Sequence, residues 1–283
     1  MTFTEFIQSA EAKQPHYLLI GNPVGHSVSP IMHNTALEHH NLEATYHAVS
    51  VSMPELPTLI AHFNSELFLG ANVTIPHKQN FLDTVDELTD TAASIGAVNT
   101  ILKQNGKLVG DNTDAFGFIQ PLTELEEEIE TDRAIVFGTG GATKAIVFAL
   151  NDFGFEEVYV VSRRPERFQD LEGAIACSYD NWMEFADDTS LIVNATPLGM
   201  VPNTDASPIQ DHEIDHLTGK VCYDIVYNPR ETKFLKQAKQ ADGIPVGGLD
   251  MLIYQGAKSF ELWTGKHFPL GLVNMKLDEV FPH

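Results

Sequence analysis

Apolar residues fall in short runs separated by polar turns, and these runs alternate with stretches of helical spacing. In the N-terminal part, residues 17–20, 45–51 and 67–75 predict strands, and the stretches starting near Ser29, Pro54 and His77 predict helices. Such alternation implies βαβ units and a largely parallel sheet. Residues 97–110 break the rhythm. The segments 97–102 and 108–110 flank Gln104-Asn105-Gly106, and Asn-Gly supplies the positive φ angles of a tight hairpin turn.

From Arg133 the pattern restarts, with an apolar run at 134–137, a glycine-rich turn, a helix ending near Gly154, and strands at 158–161, 191–194 and 221–226. Six acids between Glu124 and Asp132 precede this restart and predict a solvated helix face at a domain junction. Two helical segments, about 250–264 and 270–280, follow Gly247-Gly248 with no further strand to cross to. They are expected to return to the first domain or to bridge the two.

A chain of 283 residues is expected to form two domains at about 150 residues each. Its net charge of −22 would still be −10 with all 12 histidines protonated, which argues against nucleic acid or an anionic membrane as partner. The cysteines Cys177 and Cys222 lie in or beside apolar stretches without CxxC spacing, so a reduced, cytoplasmic setting is expected. The first residues carry acids ahead of the first lysine and have no signal-peptide pattern. Between Gln14 and Leu37 no charged Asp, Glu, Lys or Arg occurs, but Pro15, Gly21, Pro23, Gly25 and Pro30 interrupt it, so it reads as strand, polar loop and helix.

Candidate chemistry sharpens the picture at two places. After the strand at 134–137, Gly138-Thr139-Gly140-Gly141-Ala142 opens into a helix, and such a turn lets backbone N–H groups meet a pyrophosphate. The third fingerprint position is Thr143, where Gly or Ala is usual. The next strand ends in Ser162-Arg163-Arg164-Pro165-Glu166-Arg167, with guanidinium groups and a hydroxyl where an NAD site places an acid, which favours NADP.

The second place is the N-terminal part, whose first hundred residues hold two basic side chains, Lys13 and Lys78. A partly desolvated lysine at a helix start has a lowered pKa and suits proton transfer. Period-two alternation puts Asn72 and Thr74 on one strand face leading to it. Asp114 is expected to cap the helix that runs through Phe118. Ser29 as N-cap and Pro30 as first helical residue would set Ser27 and Ser29 beside free N–H groups, a cradle for a small carboxylate. His26, His33, His39 and His40 lack metal-ligand spacing, so no metal is expected.

The segments GNPVGHSVSPIMHN, GANVTIPHK, GAVNT, GDNTDAFG, GTGGATKA, NATPLGM, YDIVYNP and GGLDMLIYQGA, spread from Gly21 to Ala257, together resemble the shikimate dehydrogenase family. Its members are NADP-dependent enzymes that reduce 3-dehydroshikimate reversibly to shikimate on the route to chorismate and the aromatic amino acids. The resemblance implies an α/β fold: an N-terminal α/β substrate domain at 1–113 and 249–283, a Rossmann-type NADP-binding domain at 114–248, and a cleft between them. It implies Lys78 and Asp114 as the catalytic pair and Ser27 and Ser29 on the substrate carboxylate. It also implies Asn72, Thr74, Asn99, Tyr227 and Gln255 on substrate, with Gly138, Thr139, Gly140, Gly141 and Ala142 on the pyrophosphate. Ser162, Arg163 and Arg167 would hold the adenosine phosphate, and Ile225 and Gly248 would lie near the nicotinamide. The family's second-strand motif reads Asn-Arg-Thr where this chain has Ser162-Arg163-Arg164.

Independently, Tyr227 follows an apolar strand at the carboxyl edge, where open α/β sheets bind ligands, and Met251 and Gln255 share a helix face. The alternatives are a quinate/shikimate dehydrogenase using NAD, and a nucleotide-sensing binding protein without chemistry. The arginines and the serine pair favour shikimate and NADP, and a sensor needs neither Lys78 nor Asp114. A monomer or homodimer acting on a small molecule is expected.

Overall fold

The structure is a computed structural model and describes residues 1–167 and 171–281, Arg167 by its backbone alone. The chain forms two compact units, Met1–Thr113 with Gly256–His283 and Asp114–Gln255.

The first unit contains α1 (Phe3–Gln8), β1 (His16–Gly21), α2 (Ser29–His39), β2 (Thr45–Ser50), α3 (Leu56–His62), β3 (Phe68–Val73), β4 (Glu87–Leu88), α4 (Asp90–Ile95), β5 (Thr100–Gln104) and β6 (Lys107–Asp111). The strands form a sheet ordered β2-β1-β3-β5-β6-β4. β1 is parallel to β2 and β3, and β5 is antiparallel to β3 and β6. The reversal is the expected hairpin, with Asn105 and Gly106 at φ 52° and 79°. β1 is buried at every position, as a strand covered on both faces must be. Leu18, Ile20, Val49, Phe68, Ala71 and Ile101 build the core with Phe3, Phe6, Phe63 and Phe81. The strand order reverses at β1, so the carboxyl ends of β1 and β3 form the edge where such a sheet binds ligands. There the Thr74 N–H donates to Ile20 O at 2.8 Å and the Asn22 N–H to Ile75 O at 2.9 Å.

The helix expected at His77 is absent. Residues 78–84 form consecutive turns, with the Asn80 N–H on His77 O at 2.9 Å and the Leu82 N–H on Gln79 O at 3.3 Å. Thr84 Oγ1 donates to Asn80 O at 2.8 Å, so a polar side chain takes a carbonyl that a helix would use. The helix dipole invoked for Lys78 therefore does not exist.

The second unit contains α5 (Asp114–Thr123), β7 (Arg133–Phe137), α6 (Thr143–Phe153), β8 (Glu157–Ser162), β9 (Ile175–Ser178), β10 (Leu191–Asn194), β11 (Val221–Asp224), α7 (Lys233–Gln240), β12 (Ile244–Val246) and the start of α8 (Gly248–Thr264). Its sheet is ordered β12-β11-β10-β7-β8-β9 with every pairing parallel. Read in chain order this is 3-2-1-4-5-6, the Rossmann arrangement. β4 and β12 escape the sequence pattern because they are too short to show a period, and β9 because only Cys177 of it is buried; Pro245 sits in β12, an edge strand where a missing N–H is tolerated. The acidic run forms a 3-10 turn at Glu126–Glu128. α8 is one continuous helix, and the chain passes back to the first unit inside it, between Gln255 and Gly256, rather than at its start. α9 (Leu270–Val280) then packs on α2. Among the described residues no helix is long and apolar enough to cross a membrane.

Candidate active site

At the carboxyl end of β1 the chain reaches α2 through Ser27 and Ser29. Ser29 is the first residue of α2 and Val28 occupies the cap position, so the expected N-cap moves by one. The cause is a turn closed by Ser27, whose Oγ accepts the Ser29 N–H at 3.2 Å and donates to Ser29 Oγ at 3.1 Å. Ser29 is buried and Ser27 half-buried. No acid lies in the first turn of α2, so two hydroxyls and helix N–H groups meet at a site that suits an anion.

β3 leads to the same edge. Asn72 is buried in β3, and Thr74 follows its end so closely that a Cβ on Gly21 of β1 would lie 2.4 Å from the Thr74 methyl. Lys78 is half-buried, and its carbonyl accepts the Val98 N–H at 2.8 Å. Antiparallel β5 starts where β3 ends, which brings in Asn99: its carbonyl accepts the Val73 N–H at 2.7 Å. Asn99 Oδ1 accepts from the Thr113 N–H at 2.7 Å and from Thr100 Oγ1 at 2.9 Å, while Nδ2 donates to Thr113 Oγ1 at 3.0 Å. The first unit thus gathers Ser27, Ser29, Asn72, Thr74, Lys78 and Asn99 at one edge of one sheet.

In the second unit Asp114 is buried and is the first residue of α5, directly after Thr113 in the chain. One turn on, a Cβ at Gly117 would meet Met251 O at 2.6 Å and Gln255 Cβ at 2.7 Å, so α5 and the start of α8 touch and bring the Asp114 face of α5 to Gln255. Gln255 Nε2 donates to Leu252 O at 2.7 Å.

The glycine-rich turn lies where the sheet order reverses. Gly138 has φ +113°, and a Cβ there would sit 2.8 Å from Ala195 O beyond β10, so a side chain is excluded on both counts. Thr143 is fully buried and donates from Oγ1 to Gly138 O at 3.1 Å, which explains its presence at the third fingerprint position: it ties the turn to α6. Nothing lies within 4 Å of a Cβ on Gly141, and on Gly140 only Ala195 O at 3.9 Å. Open space over a helix N-terminus fits a pyrophosphate.

β8 ends on Ser162, whose Oγ accepts the Arg164 N–H at 3.2 Å, and Arg163 next to it is exposed. The side chain of Arg167 lies outside the described residues. Ile225 and Gly248 come together, since a Cβ on Gly248 would be 2.3 Å from Ile225 O.

β11 stops at Asp224, two residues short of the expected end. The Asp224 carboxylate accepts the Val226 N–H at 2.9 Å, Asn194 Nδ2 at 3.0 Å and the Thr232 hydroxyl at 2.5 Å, which bends the chain off the ladder. Burial pushes this carboxyl up to about 6 against those three donors. Tyr227 is therefore a half-buried loop residue, its phenol raised by burial.

Residues 19–101 match the model of the shikimate dehydrogenase substrate binding domain, and residues 248–277 match that of the shikimate 5'-dehydrogenase C-terminal domain. Shikimate dehydrogenase (NADP(+)) of Bacillus cereus strain AH187 is 39% identical over 258 residues, 88% of this chain and 92% of the relative. The chain belongs to the shikimate dehydrogenase family. Among solved structures, the Thermus thermophilus shikimate 5-dehydrogenase in complex with NADP(H) and shikimate superposes with a TM-score of 0.82 at 35% identity, over 94% of this chain and 99% of that one. Quinate dehydrogenase from Corynebacterium glutamicum in complex with NAD superposes with a TM-score of 0.86 over 94% and 99%, at 27% identity.

Two groups of side chains at these edges are joined by contacts that no local sequence signal gives, although Asn72 itself is readable from strand alternation. One joins Asp224, Asn194 and Thr232, and the other joins Tyr46, Asn72, Thr100, Thr113 and Ser259. Each draws members from strands far apart in the chain, so only the sheet order could have found them.

Proposed function

We propose that this chain catalyses the reversible NADPH-dependent reduction of 3-dehydroshikimate to shikimate, an oxidoreduction at a CH–OH group. The observation that carries this reading is the collection of Ser27, Ser29, Thr74, Lys78 and Asn99 at the ligand-binding edge of one sheet in a chain of this family. The first unit supplies Ser27, Ser29, Thr74, Lys78 and Asn99 to the substrate, and the second takes the cofactor. Ser27 and Ser29 hold the carboxylate at the start of α2, and Thr74, Asn99, Tyr227 and Gln255 bind ring hydroxyls; Asn72, expected on substrate, supports them from beneath, its amide being engaged by Tyr46, Thr100 and Ser259.

NADPH, when bound, supplies the hydride. Negative charge then develops on the ring oxygen, and the Lys78 ammonium stabilises it and gives it a proton, with Asp114 orienting the amine. Gly138, Thr139, Gly140, Gly141 and Ala142 take the pyrophosphate, Ser162, Arg163 and Arg167 the 2'-phosphate, and Ile225 and Gly248 flank the nicotinamide. The reaction is placed in the cytoplasm, in a monomer or homodimer; two buried, unbridged cysteines suit a reducing compartment.

The test is an absorbance assay at the nicotinamide band pairing shikimate or quinate with NADP or NAD. Shikimate with NADP is expected to give the highest kcat/KM. Faster turnover of quinate with NAD would replace this reading by the quinate dehydrogenase one.

A further inference from the structure

Beneath the carboxyl edge of the first unit's sheet lies a knot of polar side chains from four separate elements. Tyr46 of β2, Asn72 of β3, Thr100 of β5, Thr113 and Ser259 of α8 are each at most 5% exposed. Ser259 Oγ is the hub: it lies 2.9 Å from Asn72 Nδ2, 2.9 Å from Thr100 Oγ1 and 3.1 Å from Thr113 Oγ1. A hydroxyl has one proton and two lone pairs, so Ser259 accepts from the Asn72 amide and can still share a proton with either threonine hydroxyl.

The direction of the chain is set from its far end. The Tyr46 hydroxyl donates to Asn72 Oδ1 at 2.8 Å, which forces Nδ2 toward Ser259. Tyr46 itself is held on both sides. Its ring stacks on His33 at 4.3 Å, and its backbone exchanges two hydrogen bonds with Asn34, at 2.8 and 3.0 Å. Asn72 is thus engaged at both ends of its amide by protein groups while buried, which suits a residue that acts through others.

We propose that Ser259, with Asn72 and Tyr46 behind it, is a positioning residue for the reduction. Through Thr113 it fixes the Asn99 amide and the residue from which Asp114 follows. Thr113 both grips Asn99, through its N–H and Oγ1, and meets Ser259, so a slack hub loosens a substrate contact and the approach to Asp114 together. Ser259 also sits one helical turn beyond Gln255 on the same face of α8. The inference rests on the shikimate reading given above.

The test compares wild type, Ser259→Ala, Ser259→Thr and Tyr46→Phe in steady state with shikimate and NADP. Ser259→Ala is expected to lower kcat/KM for shikimate about tenfold or more, the size of a buried hydrogen-bond partner lost, with the KM for NADP unchanged. Ser259→Thr, which keeps the hydroxyl, recovers most of the loss. Tyr46→Phe, which keeps the ring and its stack, falls in the same direction and stands in should the Ser259 variants not fold. A lowered Tm in Ser259→Ala or Tyr46→Phe with kcat and both KM values unchanged below the transition overturns the positioning role. Wild type without shikimate turnover overturns the proposed function, and the positioning role with it; the two failures are thus told apart.

Discussion

At the carboxyl end of β7 the chain turns once at Gly138 and is in α6 by Thr143, whereas at the carboxyl end of β3 it passes through turns from Thr74 to Val85 before β4 begins. The second unit makes its site from backbone, using a left-handed glycine, open space over Gly141 and the N–H groups of a helix start. The first unit makes its site from side chains on three loops, and aligns them by pairing β1 with β3 and β3 with β5. A backbone site is contiguous in sequence and serves a cofactor shared by many enzymes. A side-chain site is scattered, and it is where one ring acid can be told from another.

The sharpest way to break this contrast is to remove Lys78. General acid catalysis is worth about 10²–10⁴-fold, so Lys78→Ala should lower kcat by about that factor with a modest change in KM. Asp114→Asn should match it, and the double variant should be little worse than either, because the two act as a unit. Steady-state kinetics decides; fully additive losses would make the pair independent. The cofactor-binding end of the second unit should respond in the other parameter. Replacing Arg163 and Arg167 by Ala is expected to raise the NADPH KM about tenfold, or about 1.4 kcal/mol, and to leave NADH nearly untouched. Equal losses with both cofactors would remove the arginines from the 2'-phosphate.

The two units also differed in how far the sequence could be read. The strand, glycine turn and helix at 134–153 stand in the structure nearly as the pattern predicts, because a Rossmann unit is built from local rules: apolar run, forced turn, amphipathic helix. Thr143 looked anomalous until its bond to Gly138 O appeared. In the first unit the polar face of Asn72 and Thr74 was readable from alternation, yet the helix at His77 was not there, since Thr84 spends its hydroxyl on the Asn80 carbonyl and Asn80 turns its amide to the His77 ring. The shift of the α2 cap to Val28 and the early end of β11 have one cause: a side chain, Ser27 or Asp224, captures the backbone N–H two residues further on. Such captures are decided by a few tenths of an ångström, and they leave no periodic trace.

A smaller effect separates binding from scaffolding at the start of α2. Replacing Ser27 and Ser29 by Ala removes the turn that Ser27 closes, and a lost cap of this kind costs about 1 kcal/mol. Shikimate KM should rise much more than that stability loss would suggest, with NADP KM unmoved. A large drop in Tm with shikimate KM unchanged would make the serines structural.

The smallest expected effect sets the two units against each other through pH. His16 in β1 is fully buried, and burial pushes it from 6.5 down to about 4, opposed by its bond to Gln14 O and aided by His62 and His47 nearby. Between those values the unfolded chain binds a proton that the folded unit refuses, so the first unit loses stability as pH falls from 6.5 toward 4. Asp224 in the second unit behaves oppositely. Its carboxyl is raised from 3.8 to about 6, so between those values the folded state binds the extra proton, and this group's contribution declines as pH rises through the window. Thermal unfolding at pH 7 and pH 5 should therefore show His16→Gln losing less Tm on acidification than wild type, by about 2–4 °C for a change on the order of 1 kcal/mol. Asp224→Asn should lose more than wild type, because it lacks the group that acid relieves. The same acid response in all three proteins would show that neither buried group governs it.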